Sequence, residues 1–158
     1  MYLRLGVGEL FAAAAFAVMA GAVVTPRLDG SDERAALWSA LAPLLLILVQ
    51  AGIYWLLART WVGTGTMPPT LSALYRAFRL LDPVVLAAGL VGIVVWWPGQ
   101  PEVVVLAAVV WLFGVVEYVN YFLVRLSYPV GQWFGAVGQW RTPRLVQDLR
   151  ATTLGGAR

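Results

Sequence analysis

Four long apolar runs dominate the chain, at about 5–24, 37–58, 80–97 and 103–126, with most charged residues gathered between or beyond them. About twenty apolar residues rising 1.5 Å each match the roughly 30 Å hydrocarbon core of a bilayer. Backbone groups in lipid must find partners within their own segment, so each run is expected to be a membrane-crossing helix. The pattern predicts an all-α integral membrane protein. Residues 1–128 form four transmembrane helices in an antiparallel bundle, short interfacial helices lie on the cytoplasmic side, and 129–158 form a cytoplasmic amphipathic tail. Composition agrees: only 12% of residues are charged, against about 25% in soluble domains.

The third run is the shortest. Asp82-Pro83 reads as a helix start, with Asp as N-cap and Pro at the first helical position. From Pro83 to Trp97 the helix reaches only about 22 Å, so either the span begins near Arg79 or Pro83 kinks a longer helix. The link from Trp96 to Glu102 is short enough for a helical hairpin. Pro101 starts the fourth helix, and Trp96 and Trp97 suit an interfacial aromatic belt. Arg4 and Ala20-Gly21-Ala22 resemble parts of a signal peptide, but the apolar run is long for one, and a retained span is expected.

Arginine sets the expected sidedness. All eleven basic residues are Arg, and placing both termini inside puts nine of them in the cytoplasm and two, Arg27 and Arg34, outside. The positive-inside rule favours that arrangement. Arg without Lys, together with abundant Ala, Gly and Val, suggests a GC-rich bacterium and hence a bacterial plasma membrane. The basic balance does not imply nucleic acid, because juxtamembrane Arg is the usual mark of cytoplasmic loops.

Residues 70–81 place Leu71, Leu74, Tyr75, Phe78 and Leu81 on one helical face with Arg76 and Arg79 beside it. This pattern fits an interfacial helix whose arginines meet anionic lipid headgroups, or a cytoplasmic extension of span three. After Pro129, Trp133, Val137 and Trp140 share a face and suggest a second surface helix. Thr142-Pro143 then opens an amphipathic segment in which Leu145, Val146 and Leu149 oppose Arg144 and Asp148.

Polar groups within apolar spans are costly and usually face the bundle interior. Glu117, Asn120, Tyr121 and Arg125 cover one side of span four, leaving Leu112, Val119, Phe122 and Leu126 to face lipid. Gln50 and Glu117 lie at equal depth, roughly 13 Å from the cytoplasmic boundary, so they are expected to pair, with Tyr54 level with Asn120 and Tyr121. In span one, Gly6, Glu9, Ala13, Ala17 and Ala20 form a small-residue packing stripe. Glu9 is expected to pair with Arg125. Together these residues outline a buried polar track opening to the cytoplasm, a candidate ligand or proton site.

Chemistry is constrained by absences. The chain has no Cys and no His, which removes thiolate and imidazole ligands and the usual nucleophile–base pairs. Gly6-Val7-Gly8 and Gly63-Thr64-Gly65 lack the context of phosphate loops. No metal or cofactor is expected. The reading is a non-catalytic membrane protein, a partner subunit or scaffold that associates with itself or another membrane protein. The alternatives are a small transporter or channel element using Glu117 and, last, a lipid-acting enzyme using Glu117 or Glu9.

Overall fold

A computed structural model of the chain describes residues 2–63, 65–124 and 142–155. Its regular elements are all helical, with no strand among the described residues. Helix α1 covers Tyr2–Val18 and continues through a wide turn, Met19–Val24, and a tight one, Thr25–Arg27. Helices α2 (Ser31–Ala58), α3 (Pro69–Val95) and α4 (Pro101–Phe122) follow, then α5 (Arg144–Gly155). The first four are long and apolar enough to cross a membrane. Arg125 and the Trp133–Val137–Trp140 pattern lie outside the described residues.

Local chemistry sets the helix ends. At the start of α2 the Gly30 N–H donates to Glu33 Oε2 at 3.3 Å, and Asp32 and Glu33 place negative charge at the positive end of the helix dipole. The α2–α3 link turns at Gly63, whose φ of 93° lies in the left-handed region that favours glycine. Pro69 and Pro101 open α3 and α4 at positions that need no N–H donor.

Helix α2 is the centre of the fold, packing against α1, α3 and α4. Its buried positions run from Glu33 through Leu37, Leu41, Leu44 and Leu48 to Tyr54 and Ala58. Close approach on either side depends on small residues. Gly6 of α1 faces the Gly52 carbonyl and Leu56, and Gly52 faces Leu10. With Gly6, Ala13 and Ala20 buried, the small-residue stripe of α1 meets its neighbour as expected. On the other flank, Gly89 and Gly92 of α3 rest on Ser39 and Pro43.

Several expectations are corrected. Of the two readings of residues 70–81, the separate surface helix is ruled out and the extension of the third helix holds: they are the first half of α3, which runs unbroken through Pro83. Proline cannot donate to the carbonyl four residues earlier, which here is Arg79 O. The Tyr118 hydroxyl of α4 donates to that oxygen at 3.0 Å, restoring the missing bond from a neighbouring helix. Asp82 is therefore no N-cap but a mid-helix residue, buried against α2. Phe122 does not face outward either. It is buried with Ile47, Tyr75 and Leu145, because α5 covers the last turn of α4 on that side.

Candidate functional site

Three polar clusters lie among the helices on the side against which α5 rests. The first lies between α2 and α3. Gln50 Nε2 donates to Asp82 Oδ1 at 3.0 Å, and the Tyr75 hydroxyl donates to the Gln50 backbone carbonyl at 2.8 Å. All three residues are buried, while Gln50 Oε1 and Asp82 Oδ2 have no hydrogen-bond partner among the described residues. Gln50 thus takes Asp82, not Glu117, as its partner. Equal depth leaves the rotation of each helix undetermined.

The second cluster joins α1 to α4. Tyr121 donates its hydroxyl proton to Glu9 Oε1 at 2.5 Å and accepts a long contact from Trp55 Nε1 at 3.5 Å. Tyr2 stacks on Trp55, with ring centroids 5.7 Å apart. Glu117 is half-buried, hydrogen-bonds to the Asn120 side chain one turn on, and lies within electrostatic reach of Glu9. The structure therefore gathers Glu9, Glu117, Asn120 and Tyr121, and gives Glu9 a tyrosine partner. The expected partner Arg125 lies outside the described residues.

The third cluster centres on Asp148 of α5. Asp148 Oδ2 accepts from the Tyr54 hydroxyl at 2.8 Å and from Trp61 Nε1 at 3.1 Å, and Oδ1 meets Arg144 Nε at 3.2 Å. The expectation that Asp148 opposes Leu145, Val146 and Leu149 is corrected, since all four are buried. Residues three apart lie only about 60° apart around a helix, so Asp148 borders the apolar face through Leu145. Arg76, read as a headgroup ligand, donates to the Leu149 carbonyl at 3.2 Å, and the Thr152 hydroxyl reaches Met67 O at 3.3 Å. Arg79 is exposed.

Of the residues singled out from sequence, Tyr54 and Gln50 are buried and Glu9 and Glu117 half-buried, whereas Asp82 and Asp148 were not singled out as site residues. One available signal was that acids in apolar surroundings demand partners wherever they fall. Asp82 is flanked by Leu81 and Pro83, and Asp148 sits one residue before Leu149.

Chemically the clusters can hold protons and hydrogen bonds. Among the described residues no group of three His, Cys, Asp or Glu is placed to hold a metal ion. The space bounded by Ile47, Gln50, Ala51, Tyr75, Tyr121, Phe122 and Leu145 is a seam of about 180 Å³, spread so thinly that no water molecule fits. The chain matches no family model, and no curated protein or solved structure is significantly similar to it.

Proposed function

We propose that the chain is a four-pass protein of a bacterial plasma membrane, an antiparallel bundle with both termini cytoplasmic, acting as a non-catalytic subunit or scaffold. One observation carries the reading: the outward faces are apolar while the interior is filled. Only 11% of the apolar window of α1 and 17% of that of α4 is buried, against 56% for α2. Phe11, Val84, Val91, Val105 and Val109 all stand exposed. Water would not tolerate apolar surface on this scale, whereas lipid tails and membrane partners match it. Docking of α5 on the Arg-rich end agrees with a cytoplasmic C-terminus. The thin seam beside Gln50 supports a structural role over one that admits a substrate.

A second reading rests on the approach of Glu9 and Glu117, a pair of carboxyls inside two apolar helices that suits a small transporter element. A single set of experiments separates the two. The scaffold reading expects another membrane protein, or further copies of this chain, to co-purify stoichiometrically from the native host, equally with wild type and with Glu117→Gln. Single cysteines near Thr142 should react with impermeant maleimide only after the cells are opened. External labelling of intact cells would reverse the orientation. Ion- or pH-coupled flux in proteoliposomes that is lost in Glu117→Gln would replace the scaffold reading with the transporter one.

A further inference from the structure

The geometry points to Asp82 and Gln50 as a proton-binding site: Asp82 holds a proton as an uncharged acid–amide pair at the α2–α3 interface. Asp82 is 1% exposed and Gln50 is 5% exposed. One bond joins them, from Gln50 Nε2 to Asp82 Oδ1. The remaining oxygen of each, Asp82 Oδ2 and Gln50 Oε1, is a buried acceptor with no partner among the described residues. Two orphaned acceptors on a hydrogen-bonded pair lack a donor, and a proton on Oδ2 supplies one. It turns the carboxylate into a carboxylic acid that donates as well as accepts.

The alternatives fit less well. A carboxylate at this depth would rest on one amide N–H, far short of the bonds and countercharge that buried charges need. A hard cation would require about six oxygen ligands, whereas the pair offers two free ones. Among the described residues, the ionisable groups nearby leave the carboxyl without a countercharge. From α4 comes Tyr118, its hydroxyl committed to Arg79 O. On α3, Arg79 is exposed, and Tyr75 donates to the Gln50 backbone carbonyl. Facing them from α2 is Gln50 itself. Loss of the proton would place a charge in the helix interface, so occupancy of the site is coupled to how tightly α3 holds α2.

Infrared spectroscopy of the full chain in lipid nanodiscs tests this assignment. At neutral pH a carboxylic-acid C=O band is expected that shifts when the protein is made with carboxyl-13C aspartate. It should be missing in Asp82→Asn and retained in Glu9→Gln and Glu117→Gln. Raising the pH should bleach it reversibly. If Asp82→Asn does not fold, Gln50→Leu serves instead: losing the amide bond should move the aspartate band to higher frequency. Absence of any aspartate acid band at neutral pH, or a band unmoved in both Asp82→Asn and Gln50→Leu, would overturn the assignment.

Discussion

Replacing Asp148 with Ala should release α5 from the bundle while leaving α1 to α4 folded. The substitution removes the acceptor for a buried tyrosine hydroxyl, an indole N–H and a guanidinium in one step. Tyr54 is fully buried and Trp61 nearly so, so their donors have no water to turn to. Breaking such a buried, charge-assisted cluster costs about 3–5 kcal/mol. A helix of 12 residues has little stability of its own. Its docking otherwise rests on Leu145, Val146 and Leu149, with the Arg76 and Thr152 hydrogen bonds. Amide exchange over Arg144–Gly155 should therefore accelerate by roughly two to four orders of magnitude, with little change in α2. Arg144→Ala provides the contrast. Its side chain is 41% exposed, and exposed ion pairs contribute under about 1 kcal/mol. Equal effects from the two substitutions would show that the Tyr54–Trp61–Asp148 contacts do not anchor the helix.

That anchor also shows where reading residues in order reaches its limit. The four apolar blocks were legible because run length alone marks them, and a long helix covers most of each, although α3 starts eleven residues before its block. The face of α1 was legible too, because Gly6, Ala13 and Ala20 repeat every seven residues and small side chains mark where helices touch. What failed were inferences that treated a polar residue by its neighbours in sequence. Asp-Pro signals a helix start only when coil precedes it, and here about three and a half turns of α3, from Pro69 to Leu81, precede it instead. Asp148 looked like part of a polar stripe because nothing in the C-terminal segment announces that Tyr54 and Trp61 lie above it. Partners more than eighty positions apart are set by how helices rotate on packing, and hydropathy carries little information on that rotation.

Rotation and spacing of α3 on α2 are governed instead by glycine, and Gly89→Ala should be the most damaging methyl addition among the described glycines. Pro43 cannot donate to Ser39 O, and that carbonyl faces the flank of Gly89. A Cβ at position 89 would lie 2.5 Å from Ser39 O and 2.9 Å from Pro43 Cγ. Neither neighbour can swing aside, because one is backbone and the other a closed ring. The helices must separate, at a cost of about 1–3 kcal/mol, read as a lower unfolding midpoint in detergent titration. Gly92→Ala should be damaging for a related reason. Ser39 Oγ can change rotamer, but Ser39 Cβ, 2.7 Å from the Cβ position of residue 92, is fixed to the backbone. Gly8→Ala should be neutral or stabilising by up to about 1 kcal/mol, since nothing lies within 4 Å of its Cβ position. Gly89 stands two turns from Asp82 on the same face of α3. Prying the helices apart there should also admit water to the Asp82–Gln50 pair, so the substitution that loosens the seam should speed hydrogen–deuterium exchange at that buried amide and carboxyl. Were Gly89→Ala as stable as Gly8→Ala, the close approach of α3 to α2 at Ser39 would be wrong, and with it the dry setting in which Asp82 is placed.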